Sequence, residues 1–430
     1  MLKNKNIYIF LLIGLISTIL FIVFILNFES LSSKIFLPRY RGDYKSLPYY
    51  ELILGFISFI FISLGIFFIK NKKYLYIWLI KGGIVTLFLM VFYEAHYGLD
   101  AYFYIGHALK DEVLFPFGES GTYNMMHINH IFTYFVGKSY YSLKVLNSLI
   151  GFIGLIFLYK TYEYIIEKNK LQLNKKFIYF FFLFPTVIFW SSILGKDPLN
   201  LFFIGVFSYG FIHLIDSFKI KYLLMIIISI WFVSYIRSWW SIIMVTSIFL
   251  YYLKINSVRN FILFLIIMPV FTLLAMQFLQ TQGISSIDQI FLKMSDTSSK
   301  LAYGGSSVGV HAIRGFGDYV LWFFPNLFTT LFRPMPWDIR NAFTLIAAIE
   351  NIILFYLVYK YIFKNWRLIY ANKYLKFYIL LIFSWSLLYV IISPTNLGMA
   401  VRFKLQVLPL MLILIGVSKL LIIKRKKGYK

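Results

Sequence analysis

Long runs of almost wholly apolar residues, cut by short polar interruptions, make up most of the chain. Most runs lack the polar stripe of a helix lying on a soluble core, and none alternates like a half-buried strand. A helix of about 20 apolar residues crosses the hydrocarbon of a bilayer. The pattern therefore predicts twelve spans, near Ile7–Asn27, Tyr50–Ile69, Tyr74–Phe92, Tyr141–Ile165, Phe177–Leu194, Leu201–Ile215, Tyr222–Ile236, Ser241–Leu253, Phe261–Leu279, Phe343–Phe363, Phe377–Ile392 and Leu405–Ile423. Several are short for a straight crossing, so those around Pro185–Pro198 and Arg237 read as broken or as starting inside a cavity. The apolar segment Val320–Leu331 reads as re-entrant. No small-x-small cleavage site follows the first run, so it reads as a span rather than a signal peptide. The expectation is an all-α polytopic membrane protein, one transmembrane domain over 1–430, with two long outer loops at about 93–140 and 280–342.

Composition removes the alternatives. With 60% hydrophobic and 14% charged residues and a mean hydropathy of +0.77, the chain is far from the ~25% charge of soluble domains. It holds no cysteine, which excludes thiolate nucleophiles and zinc–cysteine sites. The net charge of +25 acquires its meaning from placement. With the N-terminus inside, inner connections collect Lys70, Lys72, Lys73, Lys168, Lys175, Lys219, Lys254, Lys364, Arg367 and the tail from Lys424. Outer connections collect Asp43, Asp100, Asp111, Glu112, Glu119, Asp197, Asp288, Asp296, Asp318 and Asp338. That is the positive-inside pattern. Lys34, Arg39, Arg41 and Lys45 in the first outer loop run against it. The reading is a multi-pass cytoplasmic (inner) membrane protein with both termini cytoplasmic and no nucleic-acid partner.

The inner loops carry no GxxxxGK[ST] and no phosphate-cradling glycine loop, so an ATP-driven pump is unsupported. The outer loops carry the varied chemistry. Asp100 follows Gly98-Leu99 and precedes an aromatic helix; it can serve as general base or simply as an N-cap. Glu94 lies six residues before it. Lys196-Asp197 occupies a short outer connection, where a cation can meet a phosphate and a carboxylate can orient that cation. Arg333-Pro334-Met335-Pro336-Trp337-Asp338-Ile339-Arg340 forms a stiff cationic lip. Arg402 enters the last span, where snorkelling is the plain alternative. His96, His107, His127 and His130 offer nitrogen ligands for a metal, and a divalent ion is left open. Tyr303–Gly309 is glycine-rich and reads as a lid.

Three stretches taken in order resemble the GT-C superfamily of integral-membrane glycosyltransferases: Leu99-Asp100-Ala101-Tyr102, then Pro185 through Phe189-Trp190-Ser191-Ser192 to Lys196-Asp197, then Arg402-Phe403 with Pro409. Two departures stand out: the carboxylate follows the third span rather than the first, and no second acid adjoins it. The resemblance implies sugar transfer from a polyprenyl-phosphate donor to the hydroxyl of a glycan, lipid or protein acceptor, outside the membrane, in cell-envelope glycan or glycolipid synthesis. Asp100 would be the base, with Glu94 as fallback. Lys196, Arg237, Arg333, Arg340 and Arg402 would meet the departing phosphate, and Asp197 would orient Lys196. A surface-polysaccharide polymerase of the O-antigen type, gripping its lipid with Arg314, Arg333 and Arg340, is the alternative. A lipid-linked sugar flippase is a third reading, with Lys81, Glu350, His213 and Asp216 as its deepest ionisable groups.

The charge pattern predicts that Asp100, Lys196, Arg333 and Arg402 all face the extracytoplasmic side. Single cysteines placed at each position should react with an impermeant maleimide in intact spheroplasts. Labelling of any one only after lysis refutes that topology.

Overall fold

The computed structural model describes residues 49–69, 71–97, 100–110, 116–253, 287–302, 306–308, 313 and 315–426. Among these the fold is helical, without a strand and with one isolated bridge, Ser307 to Asn396. The expected spans Ile7–Asn27 and Phe261–Leu279 lie outside the described residues, as do Lys34, Arg39, Arg41, Lys45, Asp111, Glu112, His311, Arg314 and most of the Tyr303–Gly309 stretch.

Six described helices are long and apolar enough to cross a membrane, or seven if the bent pair Leu397–Lys404 and Leu408–Lys426 is one span. Two of them, Glu51–Phe68 and Ala342–Ala371, bare rows of isoleucine, leucine and phenylalanine. Ile53, Ile57, Phe61 and Leu64 on one, and Ile346, Ile349 and Ile353 on the other, are exposed. No soluble monomer leaves such continuous apolar faces in water. The chain is a multi-pass membrane protein.

It divides into two compact units. The first comprises Met1–Phe152 and Ser192–Pro198. In it α1 (Tyr49–Phe68) packs on α2 (Lys72–Trp78), which continues through a π-helical stretch (Leu79–Leu89) into α3 (Met90–Tyr97). The wide turns fall where Gly82 lets Phe59 and Trp78 lie against the backbone; a Cβ there would sit 2.9 Å from either ring. Then come α4 (Ala101–Ala108) and α5 (Gly121–Val136), packed on each other. Ser120 caps α5, and Gly137, at φ +82°, ends it. The first half of α6 (Tyr140–Lys168) closes the unit. Glu51 serves two helices at once: it lies in the first turn of α1, and its Oε2 accepts the N–H of Tyr140, 2.9 Å away, at the start of α6.

The second unit comprises Ile153–Ser191 and Leu199–Lys430. The apolar run expected as one span at Phe177–Leu194 is two short helices, α7 (Phe177–Phe182) and α8 (Pro185–Trp190). Pro185 has no N–H to continue a helix but suits the first position of a new one. Helix α9 (Lys196–Asp216) starts five residues earlier than the apolar pattern suggested. Helices α10 (Ile220–Ile236) and α11 (Ser238–Tyr252) pack on each other across a single non-helical residue, Arg237. Beyond them lie α12 (Ile287–Leu301), α13 (Phe316–Phe332), α14 (Ala342–Tyr361), α15 (Trp366–Ala371), α16 (Lys373–Ile392), α17 (Leu397–Lys404) and α18 (Leu408–Lys426). The expected re-entrant segment is α13, of 17 residues with Pro325 inside, packed on α16 and α17.

Helices α6 and α9 meet backbone to backbone. A Cβ on Gly154 would lie 2.6 Å from Phe202 Cα, and one on Gly205 would lie 2.4 Å from Gly154 O. Small residues at crossings are the usual way membrane helices gain close packing. Gly154→Ala and Gly205→Ala should each lower the thermal midpoint in detergent, by an overpacking cost of about 1–3 kcal/mol. Gly65→Ala, with nothing within 4 Å of its Cβ, should be silent or slightly stabilising. Unchanged midpoints at Gly154 and Gly205 refute the contact.

Candidate functional site

In the first unit, Asp100 stands at the N-cap position of α4. Its carbonyl accepts the Tyr104 N–H, but its side chain makes no capping hydrogen bond and is exposed. One turn later, Tyr104 lies against Gly195: a Cβ on that glycine would contact the ring at 3.4 Å. The next residue, Lys196, opens α9 and donates to Thr122 Oγ1 at 2.8 Å, in the first turn of α5. Asp197 is buried in the first turn of α9, where a carboxylate complements the helix dipole. The Asp100 and Lys196 stretches, far apart in sequence, thus belong to one packed group of α4, α5 and the turn before α9.

Glu94 has a different setting. It is fully buried, accepts from Tyr140 Oη and pairs with Lys144, which is also 0% exposed. Lys144 Nζ donates further to Tyr140 Oη at 3.2 Å. The Tyr140 ring stacks on Tyr102 of α4, with centroids 5.6 Å apart and planes at 23°. An acid held in this way anchors helices, and only its Oε1 is left without a hydrogen bond. A second buried lysine, Lys81 in the π-helical stretch, donates to Ser192 Oγ at 2.7 Å.

The second unit holds Arg237, Arg333, Arg340 and Arg402. Arg402 is buried, its guanidinium carbon 5.9 Å from the centre of the Trp190 ring. That of Arg237 is 5.2 Å from Phe403, the residue after Arg402. Arg237 thus packs on the residue that follows Arg402 in the chain. Arg333 grips Asp338 bidentately, Nε to Oδ2 at 2.9 Å and Nη2 to Oδ1 at 2.6 Å. Partial burial works to raise the Asp338 carboxyl, but hydrogen bonds from Arg333 and the Met335 N–H, with the charges of Arg333 and Arg340, hold it below the ordinary carboxylate range. The lip is thus a closed loop stapled by its own ion pair, while Arg340 remains exposed.

Beneath the lip, Lys404 pairs with Glu350 at 3.4 Å and donates to Asn351 Oδ1. Glu350 Oε2 accepts the Thr186 N–H at 2.5 Å in the first turn of α8, and Asn351 Nδ2 donates to Pro334 O at 2.9 Å. One polar cluster thereby joins α8, α14, α17 and the lip. Elsewhere in this unit, Asp216 accepts from Tyr164 Oη at 2.7 Å, Tyr374 Oη at 2.6 Å and Lys373, tying α6, α9 and α16 together. The neighbouring His213 stacks on Tyr164.

The histidines do not assemble. His107 Nδ1 is 3.1 Å from Phe103 O, His130 Nδ1 is 3.0 Å from Ala108 O, and His127 packs edge-on to Phe117. The His96 side chain lies outside the described residues. Among the described residues, no three His, Asp or Glu side chains gather to hold a metal ion. Sequence reasoning overlooked Lys144 altogether. Its signal is faint but real: a lysine near the start of a long apolar helix, with an acid near the end of an earlier one. No protein-family model, curated protein or solved structure matches this chain.

Breaking the buried pair tests its role. Lys144→Met leaves the Glu94 carboxylate buried and unpaired and should cost about 3–5 kcal/mol. Adding Glu94→Gln should recover most of that loss. A double-mutant cycle on unfolding in detergent reads the coupling; additive losses would show that the two side chains do not act as a pair.

Proposed function

We propose that the chain is a GT-C-like membrane glycosyltransferase of about twelve spans. It moves a sugar from a polyprenyl-phosphate donor to an acceptor hydroxyl at the outer face of the cytoplasmic membrane, in building a cell-envelope glycan or glycolipid. Both termini are cytoplasmic, as the lysine distribution indicates. The observation that carries this reading is the packing of Tyr104 on Gly195. It holds the helix that begins at Asp100 against the turn that leads into Lys196. A carboxylate and a cation in one packed group suit the two needs of displacement at an anomeric carbon: proton removal from the acceptor and charge relief on the departing phosphate.

We assign the base to Asp100, because it is exposed at the start of α4. Glu94 is enclosed by Lys144 and Tyr140 and acts as an anchor. Lys196 is the cation for the departing phosphate in that group; for Arg237 and Arg402, in the second unit, the phosphate role rests on the resemblance. Arg333, engaged by Asp338, supports the lip instead. Joining of whole repeat units on a lipid diphosphate is the second reading; Arg402 against Trp190 and Arg237 against Phe403, in the same unit, favour it, since two guanidinium groups suit a diphosphate.

Asp100→Asn separates base from cap, since asparagine caps about as well as aspartate but takes no proton. Transfer should fall by about 10²–10⁴-fold at unchanged protein level, read by mass spectrometry of lipid-linked sugars in membranes with wild-type, variant or no protein. A lipid-linked sugar profile unaltered by loss of the protein refutes the glycosyltransferase. Full activity in Asp100→Asn refutes the base.

A further inference from the structure

The lip that joins α13 to α14 is built inside out. A surface loop in water turns its charges outward and shelters a tryptophan. Here the Arg333 and Asp338 side chains, locked together, are only 21% and 8% exposed. Trp337 is 73% exposed and Ile339 40%. Few backbone donors are left to be met. Pro334 and Pro336 bring no N–H. The Met335 N–H donates to Asp338 Oδ2 at 2.9 Å, and the Asp338 N–H to Met335 O at 2.8 Å.

The bond from Asn351 Nδ2 to Pro334 O fixes the height of the lip. Asn351 lies about 13 Å along α14 from its first residue, at 1.5 Å per residue. From that level the chain returns to the cap of α14 at Asn341, and the turn Pro336–Asp338 between them packs on the same helix. The lip therefore lies along the flank of α14 rather than standing above it. That helix belongs to a candidate span, and on these turns its Leu345, Ile346 and Ile349 are exposed. The bare indole and isoleucine are level with a row already turned to lipid.

Lipid accounts for each of these features. Hydrocarbon supplies no hydrogen-bond partner, so irregular backbone beside it must satisfy its own polar groups. A charge there needs its counter-charge alongside. Tryptophan prefers the boundary between acyl chains and headgroups. A loop that gripped an anion from water would present Arg333 rather than enclose it.

We infer that the Arg333–Arg340 lip is a membrane-embedded loop whose Trp337 and Ile339 seat in one leaflet at the acyl–headgroup boundary. Its partner is the lipid surface, and the Arg333–Asp338 pair is what lets an irregular segment lie there. In the orientation proposed above that leaflet is the outer one. The inference does not depend on sugar transfer.

The chain has no cysteine, so a nitroxide can be attached at one place at a time. Trp337→Cys and Ile339→Cys are labelled in the full-length protein, in phosphatidylethanolamine–phosphatidylglycerol nanodiscs holding one copy each. Power-saturation spectroscopy compares collision with oxygen, which concentrates in lipid, and with a nickel chelate, which stays in water. Ile349→Cys on the bare row of α14 gives the lipid value. Glu119→Cys, exposed just before α5, gives the water value. Both lip labels should fall near the Ile349 value, about 5–10 Å below the headgroup surface. A ratio like that at Glu119 places the lip in water and overturns the inference. Low collision with both reagents shows a lip covered by protein, and that overturns it too.

Should Trp337→Cys fail to fold, Ile339→Cys keeps the tryptophan and the ion pair and answers alone. With Asp338→Asn added, Arg333 loses its counter-charge, and the label at 339 should shift toward the Glu119 value. An unmoved label overturns the part given to the ion pair.

Discussion

A lysine ammonium removed from water needs a polar partner, and in this fold two buried lysine–acid pairs organise the rest. Lys144 with Glu94 joins α6 to α3 in the first unit. Lys404 with Glu350 joins α17 to α14 in the second. Buried pairs of this kind add little net stability over apolar packing, yet losing one partner is costly. Their value is register. Tyr140, bound to Glu94, stacks on Tyr102, two residues after Asp100. Lys404 lies two residues after Arg402, and its partner Asn351 holds the carbonyl of Pro334, next to Arg333. Each stretch of interest is fastened within a few residues to a charge that cannot leave its partner.

Hydropathy made the long helices legible. Tyr140–Lys168 and Lys373–Ile392 announce themselves because an uninterrupted apolar run has few other fates. The breaks at Pro185 and Arg237 were legible for local reasons too, one from a missing N–H and the other from a charge ending an apolar run. The count of crossings is harder, since α7, α8, α10 and α11 are each short and composition alone does not say which join into one passage.

The candidate site was legible residue by residue but not in its groupings. Nothing in the spacing of Asp100 and Lys196 shows that Tyr104 rests on Gly195. A glycine's lack of a side chain becomes visible only once the neighbour is in place. Lys144 passed unnoticed in the sequence, because periodicity carries no information about partners fifty residues away. Gln406 reads as one polar residue at the mouth of the last span, yet its Oε1 accepts the indole N–H groups of Trp240 on α11 and Trp385 on α16.

The backbone contact of α6 with α9 bears on how the chain is made. Gly154 and Gly205 stand about fifty residues apart, so at roughly 5–20 residues per second some 2.5–10 s separate their synthesis. Until Gly205 arrives, the groove at Gly154 has no side chain to fill it and must be lined by lipid or by the insertion machinery. Helices α7 and α8, too short to cross alone, emerge in that same interval. Biogenesis of this protein therefore has a waiting period, and an insertase that shelters half-finished bundles would have its substrate here.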